Sequence, residues 1–355
     1  MDLALVAHRV DVADGTGGYV FEILQRISSE HKVTVYAASV GPGLPPGVEV
    51  VHVRAPTRPA YAMILAFPSA FAAVRRTHDI VHAQGWVTPS ADVVTAHIVL
   101  RAWREAARRA GVPTPWGERL FGGLVERREA KLVGRTAREI IAPSARAAAD
   151  VARCYGRTRD VTVIPHGFDR AVPTASRADV RRRLGLPSNA FVALYVGDPR
   201  KGLAQAIGAL DLAEGTHLLV LSRSTGGAHP LTSRILWAPP EFTLSHAHAA
   251  ADVLIHPTIY DTFGLVVAEA MAHGLPVIVS REAGVSELIE HGRSGWVLER
   301  NDPEAAAAAL RVLSSEPALL RRLAEGGRAV AARRTWDDAA RDTLAVYRRA
   351  RDARA

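Results

Sequence analysis

The chain has 355 residues, of which 48% are hydrophobic and 23% charged, and its formal net charge is +8. This length and balance fit a soluble α/β protein of about two domains, and the single cysteine, Cys154, excludes an internal disulfide framework. The N-terminus has no basic leader, and the longest apolar stretch, residues 61–74, is too short to span a bilayer. We therefore expect a cytoplasmic protein in which Cys154 is structural.

The excess positive charge comes almost entirely from arginine, because the only lysines are Lys32, Lys131 and Lys201. Such a balance is typical of proteins that bind nucleic acid, anionic membranes or anionic substrates. A nucleic-acid-binding protein is one alternative here. It is disfavoured because the cations cluster in one helical region, without stacking aromatic residues interleaved on strands. We expect most of the arginines to be solvated.

The first half of the chain begins with an apolar strand at Leu3–Ala7, a glycine-rich stretch at Asp14–Gly18 and a helix from Tyr19 to Ser29. A strand, a glycine turn and a helix start form a cradle that suits phosphate, although a plain tight turn explains the glycines equally well. Further strands are predicted at residues 33–36, 48–53, 79–82 and 92–96. His82 and His97 follow two of these strands, and a lone histidine in that position is more often structural.

Residues 101–138 are dense in arginine and include tryptophan and phenylalanine, in two helical pieces around Gly111–Pro115. A solvated charged face is one interpretation. A patch that contacts a membrane surface is the other, because cationic and aromatic residues together suit a lipid interface. The sequence leaves both open.

A polar, proline-bearing stretch at Arg170–Asn189 predicts a linker, after which Phe191–Val196 starts a second sheet. The segment after that strand contains Arg200 and Lys201, and cations at a strand exit suit phosphate groups. A loop is predicted at Ser222–Pro230.

Residues 253–280 form a βαβ unit of a parallel sheet. Val253–His256 predicts a buried strand, Phe263–His273 a helix that stops at Gly274, and Pro276–Val279 the next strand. The helix start lies at the carboxyl end of a strand, where open α/β sheets bind ligands. The backbone amides of Phe263, Gly264 and Leu265 would face an anion there.

Two acidic residues accompany this helix start. Asp261 precedes it, and Glu269 lies within a helix that is apolar on every side and is therefore expected to be buried. Two acids beside an anion-binding helix suit a ligand that carries phosphate and several hydroxyls. The alternative is that Glu269 pairs with an internal arginine and Asp261 is a turn residue.

The spacing Asp261-x7-Glu269, with Phe263-Gly264-Leu265 between the acids, resembles the E-x7-E motif of retaining glycosyltransferases of family four. The chain departs from that motif once, with aspartate in place of the first glutamate. The resemblance implies an α/β protein of the GT-B fold, which consists of two Rossmann-like domains with a deep inter-domain cleft. The implied divisions are an acceptor domain at 1–170, a donor domain at 171–335, and a C-terminal helix at 336–355 that crosses back to the first domain.

In that family the second acid holds the nucleotide ribose, and the first acid with the following amides holds the donor sugar and diphosphate. A Gly-Gly loop lies at the cleft, a histidine after a strand reaches the reaction centre, and a Lys-Gly segment grips the diphosphate. Asp198 stands where the family often has arginine, a role that Arg200 would take over. The resemblance thus implies catalytic roles for His97 and Asp261 and donor-binding roles for Gly17, Gly18, Arg200, Lys201, Phe263, Gly264, Leu265 and Glu269.

The function implied is retaining transfer of a sugar from a UDP- or GDP-linked donor to a hydroxyl of a sugar, lipid or small-molecule acceptor. It requires neither a metal nor another cofactor. A GT-B sugar-nucleotide epimerase is the alternative within enzymes. If the basic helical region contacts lipid, a further partner would be the inner face of a membrane, which the protein would bind peripherally.

Overall fold

The computed structural model describes residues 1–12, 14–168, 175–222 and 233–353. The chain divides into two compact units, Met1–His166 together with Trp336–Ala355, and Gly167–Thr335. The sequence-based divisions, after residues 170 and 335, differ from these by four residues at the first boundary. Part of the predicted linker, residues 170–174, and most of the predicted loop, residues 223–230, lie outside the described residues.

In the described residues, the first unit contains a seven-stranded parallel sheet in the order β5-β3-β1-β6-β7-β8-β9 and a short parallel pair, β2-β4. Its strands are β1 (Asp2–Val6), β2 (Arg9–Val10), β3 (Lys32–Ala37), β4 (Ser39–Val40), β5 (Glu49–His52), β6 (Ile80–Gln84), β7 (Val93–Thr95), β8 (Glu139–Ala142) and β9 (Val161–Val163). Its helices are α1 (Gly15–Ile27), α2 (Ala60–Val74), α3 (Leu100–Arg109), α4 (Trp116–Lys131), continued by a π-helical turn at Leu132–Thr136, and α5 (Ala145–Tyr155).

The second unit contains a six-stranded parallel sheet, within the part of the chain described, in the order β12-β11-β10-β13-β14-β15. Its strands are β10 (Phe191–Val196), β11 (Thr216–Leu221), β12 (Ile235–Trp237), β13 (Val253–His256), β14 (Val277–Ser280) and β15 (Trp296–Leu298). Its helices are α6 (Arg177–Arg183), α7 (Leu203–Leu212), α8 (Leu244–Ala250), α9 (Leu265–His273), α10 (Pro303–Ser315) and α11 (Pro317–Ala331), with short 3₁₀ turns at Pro199–Lys201 and Gly284–Leu288.

Both sheets are doubly wound. The central strands are buried on both faces, as their unbroken apolar sequences predict. The chain builds outward from the first strand of each sheet in one direction and then returns to build in the other. The strand order therefore reverses between β1 and β6 in the first unit and between β10 and β13 in the second. Open α/β sheets bind ligands at such switch points.

The last helix, α12 (Trp336–Asp352), belongs to the first unit. The hydroxyl of Tyr347 lies 2.7 Å from Nδ1 of His82, and the Nε2 atom of His82 lies 2.7 Å from the Thr95 hydroxyl. Burial lowers the pKa of His82 to about 3. His82 is thus a neutral structural residue that joins α12 to the sheet.

The arginine-rich region forms two helices, α3 and α4, on either side of the predicted break. Cys154 is a free, buried residue of α5, in agreement with a structural role. Across the described residues, no helix combines the length and the apolar character needed to cross a membrane.

Candidate functional site

The two turns beside the switch point of the second sheet place a lysine against a carboxylate. Lys201 follows β10 and Asp261 follows β13, two neighbouring strands. The Nζ atom of Lys201 donates to Oδ2 of Asp261 across 3.0 Å. Residues that are 60 positions apart in sequence therefore form one polar cluster.

A close backbone approach fixes the turn that carries Lys201. The Ile259 amide donates to the Lys201 carbonyl at 3.1 Å. Gly202 has φ 138°, and a Cβ atom there would lie 2.1 Å from the carbonyl oxygen of Pro257. Only glycine allows the two turns to meet this closely.

The turn that carries Asp261 is held from its other side by the segment after β14. The amide of Asp261 donates to the Glu282 carbonyl, and the amides of Gly284 and Val285 donate to the carbonyls of Asp261 and Phe263. These bonds measure between 2.7 and 3.0 Å. The backbone around the carboxylate is therefore set before any ligand arrives, which is the arrangement that favours binding and catalysis.

Helix α9 starts two residues later than the sequence predicts. Gly264, at φ 99°, is its N-cap, and the first helical bonds run from Val267 and Ala268 to the Gly264 carbonyl. The Phe263 amide donates to Oδ1 of Asp261 at 3.3 Å, and the Phe263 ring is buried. The amides that precede the helical ladder are therefore those of Gly264, Leu265 and Val266, and Phe263 is a core residue that supports them.

Glu269 is half-buried, which corrects the expectation that it is buried on all sides. It shares its face of α9 with Leu265, Val266 and Ala272, all of which are also partly exposed. Residues three or four positions apart lie on one helical face, and the apolar residues of this face pack against the rim of the second unit's core. The Glu269 side chain thus lies on a half-buried face of the helix rather than in the centre of the core.

The electrostatics of Asp261 keep it ionised. Burial acts to raise its pKa, but the charge of Lys201 and the nearby His256 outweigh burial and leave the pKa below its usual value. The cluster therefore pairs an ionised carboxylate with a partly exposed lysine.

Arg200 has a different environment from its neighbour. Its guanidinium pairs with Asp198 at 2.8 Å, and its backbone amide donates to the same carboxylate. The Arg200 side chain is about half exposed. The structure places Lys201 in the cluster with Asp261 and Arg200 in a local pair at its edge.

In the first unit, His97 lies in a neutral cluster at the end of β7. Its Nε2 atom lies 2.7 Å from Oε1 of Gln84, which ends β6, so Nε2 carries the proton. The rings of Tyr19 and His166 are centred 4.9 and 5.9 Å from its own, and Trp336 stacks on His166. Burial lowers the pKa of His97 to about 3, so the imidazole is neutral near pH 7.

The predicted glycine turn is helical, because α1 begins at Gly15 rather than Tyr19. A Cβ atom on Gly17 would lie 2.4 Å from the backbone of Asp11, and one on Gly18 would lie 3.3 Å from the Val12 carbonyl. Both glycines allow the segment after β2 to pack on the first turn of α1. Their close packing is a structural reason for glycine at these positions.

Three polar residues in these clusters escaped the sequence analysis. His256 and Gln84 end apolar strands, and their only signal is a polar residue at the end of such a run. Asn301 donates from Nδ2 to the carbonyls of Pro257 and Thr258, which holds the turn before Asp261. In the described parts of the chain, no group of three or more histidine, cysteine or acidic side chains is placed to hold a metal ion.

Two aromatic residues near the edge of the second sheet differ in their burial. Phe242 is buried in the core, and its ring faces the guanidinium of Arg183 at 4.6 Å. Trp237 is half-buried on the edge strand β12. Phe242 is therefore a packing residue.

Two family models match the chain, one mostly within each unit. Residues 13–172 match the model described as "Glycosyltransferase Family 4", and residues 232–330 match the one described as "Glycosyl transferases group 1". The second match contains α9 and both acidic residues of the predicted motif.

A curated relative and two solved structures extend this likeness over nearly the whole chain. A D-inositol 3-phosphate glycosyltransferase of Streptomyces bingchenggensis is 28% identical over 94% of this chain and 84% of its own length. Sucrose-phosphate synthase of Thermosynechococcus elongatus superposes with a TM-score of 0.79 at 22% identity, covering 99% of each chain.

The second structure is Anabaena Alr3699/HepE in complex with UDP-glucose, with a TM-score of 0.73 at 19% identity over 97% of this chain and 99% of the other. Structural likeness at these identities shows the fold, and the family models show the class of enzyme. The chain thus belongs to glycosyltransferase family four and has the two Rossmann-like domains of the GT-B fold.

Proposed function

We propose that this enzyme binds the diphosphate of its nucleotide-sugar donor at the Lys201–Asp261 cluster and transfers the sugar, with retention, to an acceptor hydroxyl. The observation that carries the proposal is the place of this cluster, beside the switch point of the second sheet and next to the first amides of α9. An ammonium group and a helix start both favour a bound diphosphate.

Glu269 would hold the nucleotide ribose. It is half-buried on the same face of α9 as Leu265, which lies four residues earlier, so one helix would present amides to phosphate and a carboxylate to hydroxyls. A carboxylate accepts from two hydroxyls at once. The donor would therefore lie along the first turns of α9.

The chemistry asks the protein to stabilise a leaving group. As the glycosidic bond breaks, negative charge grows on the departing diphosphate and the sugar becomes oxocarbenium-like. Lys201 and the amides of Gly264 and Leu265 would stabilise that charge most in the transition state. We propose that these groups serve without a metal ion. Full activity in excess EDTA is the expected result, and loss that Mg²⁺ restores would contradict it.

The relatives indicate which donor and which acceptors to test first. UDP-glucose is the donor to test first because the Anabaena structure contains it. Inositol phosphates and sugar phosphates are the acceptors to test first, because curated relatives are named for an inositol phosphate. The neutral His97 cluster would hydrogen-bond to the acceptor.

The experiment is an incubation with each nucleotide sugar, followed by proton NMR of the sugar product. Slow release of nucleoside diphosphate without acceptor, and an α-linked product from an α-linked donor, is the expected result. An epimerised free sugar would instead show an epimerase, and an inverted linkage would contradict retention. Steeply salt-dependent retention on nucleic acid, with no donor turnover, would support the binding-protein alternative.

A second proposal concerns a partner. We propose that the outer face of α4 contacts an anionic membrane surface. Three large apolar side chains are exposed at four-residue spacing on this helix: Trp116 by 68%, Leu120 by 66% and Leu124 by 41%. Residues at this spacing form one stripe, and a contiguous exposed apolar stripe marks an interaction surface.

The charges of α4 are sorted in the same direction. Its exposed charged residues are all cationic, and they are Arg119, Arg127, Arg128 and Lys131. Its acidic residues point inward: Glu118 and Glu129 are buried, and Glu126 pairs with Arg101 and Arg104. An apolar stripe beside cations, without an exposed acid, complements anionic lipid headgroups better than a protein surface of mixed charge.

Sedimentation with vesicles of 30% phosphatidylglycerol tests this surface. Binding at low salt that falls at 0.5 M salt, and falls strongly in Leu120→Ser, is expected. Leu212→Ser, which alters a similarly exposed leucine of α7 in the other unit, is the matched control and should bind normally. Equal binding by both variants, or no binding by the wild type, would contradict the proposal.

A further inference from the structure

His256 is a buried polar side chain whose hydrogen bonding is incomplete. It ends β13 with 3% exposure, and neither ring nitrogen has a hydrogen-bond partner within the described residues. A buried polar group without a partner destabilises the folded state, and most such groups in proteins are satisfied. The position of this ring therefore requires an explanation.

The His256 ring faces the Asp261 carboxylate of the Lys201–Asp261 cluster. Its Nε2 atom lies 3.6 Å from Oδ2 of Asp261, which is longer than an ordinary N–H···O bond. The same Oδ2 atom accepts from Nζ of Lys201 at 3.0 Å. Lysine and histidine thus converge on one oxygen, and only the lysine is within bonding distance.

The other oxygen of Asp261 is already used. Oδ1 accepts from the Phe263 amide, which ties the carboxylate to the start of α9. A Cβ atom on Gly264 would lie 3.7 Å from Nε2 of His256. The histidine therefore lies beside both the N-cap of the helix and the Asp261 carboxylate.

We propose that His256 is a positioning residue for the donor site, which takes over Oδ2 of Asp261 when a bound diphosphate draws Lys201 away. Without the exchange, Asp261 would lose its main partner at the moment when Lys201 is needed by the phosphate. With it, the carboxylate keeps a hydrogen bond and its orientation toward the donor sugar. This inference rests on the proposed donor site.

The exchange balances hydrogen bonds without moving a proton between groups. In the free enzyme, Lys201 donates to Asp261, and Nε2 of His256 has no hydrogen-bond partner within the described residues. In the complex, Lys201 donates to phosphate oxygen and Nε2–H donates to Oδ2. The number of satisfied groups rises by one, which favours the bound arrangement.

The first test observes the exchange directly in the unaltered enzyme. In a ¹⁵N-histidine NMR experiment, saturation with UDP should shift the Nε2 signal of His256 toward that of a hydrogen-bonded donor. His248 is the matched control, because it is equally buried in the same unit with both ring nitrogens unpartnered, and it packs on His273 instead. An unchanged His256 signal in the UDP-saturated enzyme would overturn the inference.

The second test separates positioning from packing. His256→Leu should lower kcat at least tenfold while the Kd of UDP rises less than threefold. His256→Gln, whose Nε2 amide can replace the imidazole donor, should restore most of kcat. His248→Leu should change stability and leave both constants alone. A folded His256→Leu enzyme with wild-type kcat would contradict the proposal.

Lys201→Ala distinguishes the two possible failures. If Lys201→Ala weakens UDP binding while His256→Leu leaves kcat unchanged, the donor site stands and the histidine role is wrong. If Lys201→Ala leaves UDP binding unchanged, the donor site itself is misplaced. Where His256→Leu does not fold, the NMR experiment on the wild type decides.

Discussion

The two units have the same order of central strands, but the side chains at the carboxyl ends of those strands are charged in one unit and neutral in the other. In the second unit, Lys201 and an ionised Asp261 meet there, and the surroundings lower the pKa of Asp261. In the first, His97 and Gln84 share a neutral hydrogen bond, and burial lowers the pKa of His97 to about 3. A doubly wound sheet thus fixes where a site forms, and the side chains at strand exits decide whether it suits an anion or a neutral hydroxyl compound.

The largest expected effect breaks the charged side of this comparison. Lys201→Ala should lower kcat by about 10²–10³-fold, since it removes a cation from a developing negative charge. Affinity for UDP should fall more than affinity for UMP, because only the diphosphate reaches Lys201. Steady-state kinetics and calorimetry measure both.

Arg200→Ala is the control for that change, because Arg200 already pairs with Asp198 at the edge of the cluster. Its loss removes only an exposed pair, which contributes about 0–1 kcal/mol to stability, and leaves the Lys201–Asp261 contact in place, so kcat should fall less than about tenfold. Equal effects of the two substitutions would show that both cations grip the diphosphate.

Glu269→Ala should come next, through donor affinity rather than turnover. Loss of charged hydrogen bonds to ribose hydroxyls costs about 1.5–3 kcal/mol, or ~10–150-fold in the Kd of UDP. Because Glu269 is half-buried, the variant should fold. Calorimetry measures the Kd, with the exposed Glu304→Ala of α10 as control. An unaltered Kd would reject the ribose assignment.

A smaller effect is expected on the neutral side. His97→Ala should lower kcat about 3–10-fold, the scale of one neutral hydrogen bond, while the Kd of UDP stays constant. Because the pKa of His97 is about 3, the ratio of wild-type to variant kcat should be the same at pH 6 and pH 8. A ratio that changes tenfold between these values would show that the imidazole titrates in the working enzyme.

The last prediction concerns Glu129, a buried carboxyl of the first unit, and we expect its substitution to alter stability rather than turnover. Burial raises the pKa of Glu129 in α4 to about 7, so this carboxyl is also neutral near pH 6. The folded pKa exceeds the unfolded one. The contribution of Glu129 to the free energy of unfolding is therefore fully present below pH 4.5. It is lost as the pH rises to about 7.

Glu129→Gln keeps the neutral form at every pH. Its melting temperature relative to wild type should therefore rise between pH 5 and pH 7 and then level off, by about 2–4 °C for each kcal/mol. Thermal unfolding followed by circular dichroism measures this. A constant difference across that range would show that Glu129 does not titrate in the folded protein.

Sequence periodicity predicted the sheets and most helices, because buried parallel strands and glycine stops are local signals. Its errors at α9 have non-local causes. The Asp261 side chain uses the Phe263 amide and Gly264 adopts a positive φ, so the helix starts late. Glu269 is more exposed than an all-apolar helix suggests, because a helix sequence does not reveal which of its faces a neighbouring element covers.

The candidate site was predicted one residue at a time, and its connections were not. The motif identified Asp261, and the strand exit identified Lys201, but their shared hydrogen bond depends on two strands pairing across 60 residues of chain. His256 and Gln84 were hidden because a single polar residue at the end of an apolar run is a weak signal. Their importance is visible only in what their side chains face.

Because α12 belongs to the first unit, it affects the order in which the two units can complete their folding during synthesis. Tyr347 completes the hydrogen bonding of His82, and Trp336 stacks on His166, so the unit that is translated first lacks part of its core until α12 has been made. The second unit is continuous from Gly167 to Thr335 and needs no later segment. Domains usually complete folding from the N-terminus during synthesis. In this chain the second unit would finish first, and the first unit would complete its core only after α12 has been made.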